Sequence, residues 1–570
     1  MTMFDYNCKE KNCFTREKIM NENMTKIAIV GMGPRGTLLL ERLITYLITS
    51  NKTENVELLL FDKNDTFGFG CHNRSVSDYL LVNTVAGQIT MFFGKGMKDF
   101  GPIHEGPSLY EWHKENKNNN TKESDYLTRR DLGEYLNFFY LKQIARMKEY
   151  KIEYREIIDE VIDCREFSNK IEILTKDNKF IVSKCTLSMG HLEKSIDKGV
   201  IFDQILNTKF IKDIVKNKKI ALQGMGLTAF DILSECTEGL NGKFVRDGGK
   251  LKYISSGEEP KIFIYSKTGI PLSGKAYNSH SEFVYIPIYF NERAINKLKK
   301  EHGRLDFEKH ILPLIKCEIM YAYEMKSGRN DLDIDEFFKY ERYTYSSTEE
   351  YKMKFMKHIE NDIEQCSLGK FSSPIKFCQD IIRDLRNIVR YAINEKGLTD
   401  ASYKEFIQKW HPIFTKICVG PPHIRLEQLQ ALINSGICSI EFGKSPVIIK
   451  NKDTITIKSG FTNEDTTIEV DYLIKGTIPD INYYNSNDTL IYNISRNYQL
   501  FSRNDFYNGG LEIDDKYRII KHDGTVSENI HALGLSTEGS NFFTLVLGRP
   551  HMFSSVFYDN NNVAKATLNL

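Results

Sequence analysis

The residues best placed to do chemistry in this chain are glycines, grouped in two short turns far apart in sequence. Gly31-Met32-Gly33-Pro34-Arg35-Gly36 follows the apolar run Ile27-Ala28-Ile29-Val30, and Gly224-Met225-Gly226-Leu227-Thr228-Ala229 follows Ile220-Ala221-Leu222. Each reads as buried strand, tight turn and helix start, the context that gives a glycine pattern meaning. The first glycine allows the turn, the second lets backbone approach a pyrophosphate, and a small third residue lets helix and strand pack closely. The helix N-terminus then offers unpaired N–H groups and the positive end of its dipole to phosphates. Two such turns imply two dinucleotides, with electrons passing from one to the other.

The strands that follow the turns differ at their ends. Val56 to Asp62 is an apolar strand closing on an acid, suited to accept hydrogen bonds from the ribose hydroxyls of FAD or NAD. Lys261 to Tyr265 closes on Ser266-Lys267 instead. A cation there favours the extra 2′-phosphate of NADPH over a bare ribose, although a surface lysine would look the same. Near the far end of the chain, Ile530 to Leu533 leads into Gly534-Leu535-Ser536-Thr537-Glu538-Gly539. An apolar strand ending in glycine there suits a return to the first dinucleotide, with Gly534 and Gly539 meeting FAD.

These sites need an α/β scaffold. The expectation is two dinucleotide-binding, Rossmann-like domains (FAD and NADPH) with a mostly helical insertion. The boundaries are a loose polar leader over 1–24, a first part of the FAD domain over 25–215, and the NAD(P)H domain over 216–290. A helical insertion or cap covers 291–415. Residues 416–570 hold the remainder of the NAD(P)H domain and the return to the FAD domain. At 570 residues the chain exceeds one hydrophobic core. With 77 basic against 76 acidic residues, composition makes no case for nucleic acid or an anionic membrane. No apolar run approaches the roughly 20 residues that span a bilayer. The eleven cysteines show no paired CxxC spacing, which fits a reduced cytoplasmic protein. No metal-ligand spacing is found among the histidines. Oligomeric state is not legible.

Other candidates are less specific. Gly68 to Thr90 is a loop of glycines and amides, suited either to a flat polar ring or to an ordinary turn. Arg383, Arg386 and Arg390 share one helix face, which is expected to be solvated and paired with neighbours such as Asp384, the sharper reading being a gathering around an anionic substrate.

Leu81–Thr90, Gly106–Trp112, Gly224–Glu238, Ser373-Pro374, Gly420–Pro422 and Gly534–Gly539 together resemble the FAD/NAD(P)-binding family of bacterial flavoproteins. That family includes a flavin-dependent monooxygenase that converts L-aspartate to nitrosuccinate. It looks akin to FAD-dependent urate hydroxylases, and more distantly to ornithine and lysine N-hydroxylases. The resemblance implies FAD, NADPH and O2 as reactants, with a C4a-hydroperoxyflavin oxidising the nitrogen of a small amino acid. A heterocycle hydroxylase, and a flavin-binding sensor with little turnover, are the competing readings. It also implies that Asn83 and Gln88 lie along the flavin with Thr84 beside them, and that Thr228 is a cofactor-side position. Unpaired arginines would anchor substrate carboxylates, with Arg74, Arg129 and Arg383 as candidates.

Overall fold

The computed structural model describes residues 24–570, apart from 73–74, 95–96, 98–99, 192–200, 203–207, 279–282, 340–344, 452–453, 462–465, 479–480, 504–505 and 551–552. The expected leader therefore lies, save Met24, outside the described residues.

Two open sheets organise the chain, as the α/β expectation required. The first orders its strands Arg518–Ile520, Val526–Ala532, Lys184–Leu187, Thr25–Val30, Val56–Asp62 and Glu153–Ile158. All its pairings are parallel except that of the edge strand Arg518–Ile520. The second orders Cys438–Ser439, Lys261–Tyr265, Lys219–Gln223, Tyr472–Lys475 and Ile201–Phe202, all parallel. Central strands read as unbroken apolar runs because both faces are covered, one by helices and the other largely by an antiparallel sheet: Ile27, Ala28, Ile29, Leu58, Leu59 and Leu60 are each at most 1% exposed.

Both sheets are finished by the same device. Val161–Phe167, Lys170–Thr175 and Lys179–Val182 form an antiparallel sheet just before Lys184–Leu187 rejoins the first parallel sheet. Val447–Lys450, Ile455–Lys458 and Thr467–Val470 do the same before Tyr472–Lys475 joins the second. Asp471 alone separates Thr467–Val470 from Tyr472–Lys475, so one apolar stretch is divided between two sheets.

Residues 291–434 are helical where regular, with Phe290, Phe307, Phe377, Trp410 and Phe414 in one apolar cluster. The face shared by Arg383, Arg386 and Arg390 is broken: one helix spans Pro374–Asp384, the next Arg386–Ile393, with Leu385 between. Nor is it solvated, since Arg383 and Arg390 are only 8% and 7% exposed. No helix among the described residues is long and apolar enough to cross a membrane.

Candidate functional site

About half of the α-helices among the described residues start on a side-chain cap. Ser108 and Thr128 each form a reciprocal capping box, with Glu111 and Asp131. The helices Pro34–Thr49 and Leu227–Glu235 start at Gly33 and Gly226 with no side-chain cap and no acid in the first turn. Their leading N–H groups thus remain available to an anion.

In the first turn the glycines do different jobs. Gly31 sits at φ +95°, and a Cβ there would lie 2.8 Å from the Ser188 carbonyl oxygen. A Cβ on Gly36 would fall 2.1 Å from the Gly31 carbonyl oxygen. Those two are required by packing. A Cβ on Gly33 would meet only the Gly70 Cα, at 3.6 Å, so this glycine leaves an open approach over the helix start. Asp62 closes the turn from the neighbouring strand, accepting the Met32 N–H at 3.2 Å. Burial raises its pKa, and hydrogen bonds from Asn64, Met32 and Thr66 offset part of that rise. Gly534, at φ +66°, lies against the Arg35 side chain, which pairs with Asp559 at 3.0 Å. The chain's far end therefore meets the first turn. Gly539 packs instead on Phe501.

The second turn repeats the geometry. Gly224 has φ +112°, with its Cβ position 2.7 Å from the Gly476 carbonyl oxygen, and Gly226 opens toward Leu272 at 3.5 Å. Ala229 replaces the third glycine and packs on Gly476, where a Cβ would come within 2.9 Å of it. Lys267 is exposed just beyond the strand Lys261–Tyr265, and Thr228 is half-buried in the first turn of its helix.

A small cavity of about 30 Å³ lies between the loop that carries Gln88, the segment around Lys275 and the helical segment. Gln88, Tyr126, Lys275, Lys370, Asp380 and Arg383 are among its lining residues. The Gln88 side-chain carbonyl accepts from Arg383 at 3.1 Å and from Arg549 at 3.0 Å. Arg549 also pairs with Asp384 at 2.7 Å, and Arg383 with Asp380 at 2.5 Å. Lys370 pairs with Asp380 and Lys376 with Asp362. Burial alone would raise the Asp380 pKa, but Arg383 and Lys370 hold it well below the carboxylate range. Arg386 has no carboxylate partner among the described residues; burial, then Arg390 and other cations, pull its pKa down to about 9. On or beside this cavity stand the cations Lys370, Lys376, Arg383, Arg386 and Arg549, against the carboxylates Asp362, Asp380 and Asp384. The site is built with cationic surplus, and a buried surplus calls for an anionic ligand.

Residues 28–192, which hold the whole first turn and Asp62, match the FAD-NAD(P)-binding family model. These residues form an FAD- and NAD(P)-binding unit. Across its length the flavoprotein is similar to a nitrosuccinic acid synthase of Aspergillus oryzae, with 26% identity over 95% of this chain and 92% of that one. An L-aspartate N-monooxygenase (nitrosuccinate-forming) of Streptomyces davaonensis is 22% identical, over 96% of this chain and 98% of the relative. Among solved structures, the reduced ornithine hydroxylase of Pseudomonas aeruginosa aligns with a TM-score of 0.49 at 10% identity, over 96% of this chain and 99% of that one. The residues present fit the cofactors: uncapped helix starts, an open Gly33 and Gly226, and Asp62 at the strand end.

The remaining predicted residues are placed as follows. Asn83 and Thr84 lie on the same loop as Gln88, and the Asn83 backbone carbonyl accepts a hydrogen bond from the Lys275 side-chain amine. Arg74 lies outside the described residues. Arg129 is away from the cavity lining: its guanidinium pairs with Asp231 at 2.7 Å and donates to the Leu81 carbonyl at 3.2 Å. It thereby ties the first unit of the flavoprotein to the helix Leu227–Glu235 of the second. Arg425 and Glu235 strengthen that seam, Arg425 donating to the Tyr79 carbonyl at 2.6 Å and Glu235 accepting from the Tyr79 hydroxyl at 2.6 Å. Sequence reading missed Lys275, Asp380 and Arg549. Lys275 and Arg549 each follow a glycine in an aperiodic segment, where no spacing marks them.

Proposed function

We propose that the protein is an FAD- and NADPH-dependent monooxygenase that oxidises the amino nitrogen of a small acidic amino acid, L-aspartate or a close analogue. The observation that carries this reading is the buried cationic surplus around the cavity where Gln88 meets Arg383 and Arg549. A substrate with two carboxylates matches that surplus, and a guanidinium binds a carboxylate in its own plane through two N–H groups. Named relatives that act on L-aspartate or form nitrosuccinate support the same choice.

The bound flavin, reduced by NADPH, would supply the oxygen-activating chemistry, and the protein's share is binding, orientation and exclusion of water. Gly33 and Gly226 leave room for the two pyrophosphates, and Asp62 for a ribose. Gln88, fixed by two guanidiniums, presents its amide at the cavity wall. Arg383 would hold a substrate carboxylate with Arg386 beside it, and Lys267 is the cation that would meet a 2′-phosphate.

The test is NADPH oxidation by the FAD-loaded protein across a panel of amino acids, read by product mass. An N-hydroxy or nitro product from L-aspartate is expected. Ring hydroxylation of a heterocycle without amino-acid turnover would overturn the reading, as would bound FAD with slow NADPH oxidation on every substrate.

A further inference from the structure

An amine is oxidised through its nitrogen lone pair, yet an amino acid near neutral pH carries that nitrogen as an ammonium. If the site takes an amino acid, as proposed above, a group at the cavity must remove one proton. Most of its titratable groups are poor acceptors. Asp380 is held ionised by Arg383 and Lys370, which makes it a weak base. Tyr126 and Cys418 are pushed up by burial and keep their own protons. Lys376 is locked on Asp362.

Lys275 differs in every respect. It lines the same cavity as Gln88 and is partly buried. Its backbone N–H is anchored on the Pro421 carbonyl at 2.8 Å, and its amine rests on the Asn83 carbonyl of the Gln88 loop. No carboxylate pairs with it among the described residues. Arg383 and Asp380 on one helix, Arg386 on the next and Arg549 on the C-terminal loop are the charges that face it. Burial first, then those guanidiniums, holds its pKa well below that of an ordinary lysine, with Asp380 opposing. An uncharged amine donates to Asn83 and still has a lone pair to turn toward the cavity.

We propose that Lys275 is the general base that takes the proton from the substrate ammonium. The substrate N–H bond breaks, its electron pair stays on the substrate nitrogen, and a new N–H bond forms on Lys275 Nζ. No other reactant is consumed. The timing follows from the charges. Two incoming carboxylates offset the guanidiniums around Lys275 and raise its affinity for a proton as they arrive. The base is thus strengthened by the ligand that needs it. With Lys275 uncharged, the cations and carboxylates around the cavity differ by about two charges, which a neutral-amine aspartate dianion would balance.

The test uses oxidised, FAD-loaded protein and calorimetric titration in buffers of different ionisation enthalpy. Succinate supplies two carboxylates and no amine, so its binding should draw about one proton from the buffer, by linkage to Lys275. L-Aspartate should draw close to none, because it brings the proton itself. Lys275→Met should bind succinate without proton uptake. Its turnover of L-aspartate should fall about 100-fold and recover as pH rises toward that of the free amine. Succinate binding without proton uptake, uptake that persists in Lys275→Met, or an unchanged pH profile in that variant would each overturn the assignment. The wild-type measurement stands even where the variant folds poorly. Failure of both dicarboxylates to bind would instead bring down the acidic-substrate reading, and Lys275 with it.

Discussion

Gln88 and Arg383, on a loop of the first dinucleotide unit and a helix of the helical segment, are joined by a hydrogen bond of 3.1 Å. Arg549, from near the C-terminus, reaches the same amide oxygen at 3.0 Å. Three distant parts of the chain thus converge on one acceptor that is 5% exposed. An amide oxygen has two lone pairs, and two guanidiniums use both. The Gln88 side chain is therefore fixed in orientation before any ligand arrives.

Gln88→Leu should leave both guanidiniums without that acceptor while sparing the glycine turns. Unsatisfied buried donors cost about 1–3 kcal/mol, which corresponds to roughly a 10-fold or larger loss of kcat/KM if the cost falls on the reacting geometry. The variant should purify yellow and bind NADPH normally. Steady-state kinetics with product mass would check this, and a kcat/KM within twofold of wild type would remove Gln88 from the site.

The two glycine turns separate by substitution. Gly33→Ala introduces a methyl that meets only the Gly70 Cα at 3.6 Å, so the fold should survive and FAD binding should be lost. Gly226→Ala, with Leu272 at 3.5 Å, should keep the flavin absorbance and weaken NADPH by about 10-fold or more. Gly31→Ala is different in kind: φ +95° and a contact of 2.8 Å to the Ser188 carbonyl should prevent folding. Flavin absorbance and NADPH titration on each purified variant decide the matter. Identical effects at Gly33 and Gly226 would show that the two turns do not serve two cofactors.

What was legible in the sequence was what is local. A strand, a glycine turn and a helix start lie within a few residues, and Asp62 ends the next strand, so both turns and the parallel sheets could be read off directly. The return of Val526–Ala532 to the first sheet was also readable, because its apolar run ends in Gly534. The cavity was not. Lys275 has no periodic context, and its environment comes from Asp380, Arg383, Arg386 and Arg549, all more than a hundred residues away. The arginine helix misled for a related reason. Spacing put Arg383, Arg386 and Arg390 on one face, but it carried no information about Leu385 breaking the helix or about what covers that face. Arg129 likewise looked unpaired until Asp231 came from the second unit.

Arg129→Met should destabilise the seam between the two dinucleotide units. It leaves Asp231, 6% exposed, without its closest cation, a loss of about 3 kcal/mol or more for a buried pair broken on one side. Burial already raises the Asp231 pKa, and Arg129 is the largest influence lowering it. Its removal therefore raises that pKa further. A group with a raised folded-state pKa stabilises below its unfolded value and loses that contribution as pH rises. The deficit of Arg129→Met should accordingly shrink as pH falls toward the carboxylate range, and Arg129→Met with Asp231→Asn should recover much of it. Denaturant melts of the single and double variants at pH 5 and 8 would show this. A deficit that does not vary with pH would mean that packing, not charge, carries the seam.

His531 sets an acid limit on the first sheet. It is 1% exposed, paired in the ladder with Thr186 on one side and Arg518 on the other. Neither ring nitrogen has a hydrogen-bond partner among the described residues. Burial, then Lys184, lowers its pKa to about 4 from an ordinary 6.5. A depressed pKa gives stability that is present above the unfolded value and lost as pH falls, because the unfolded chain takes a proton that the folded one refuses. Between pH 6.5 and 5 this difference costs about 2 kcal/mol. His104 and His411, also lowered to about 4 by burial, act with the same sign. His531→Leu keeps the volume apolar and removes one of these groups. Its melting temperature should match or exceed wild type at pH 7.5, and the margin should widen at pH 5. Parallel melting curves for the two proteins across that range would show that His531 is protonated or hydrogen-bonded in the folded state.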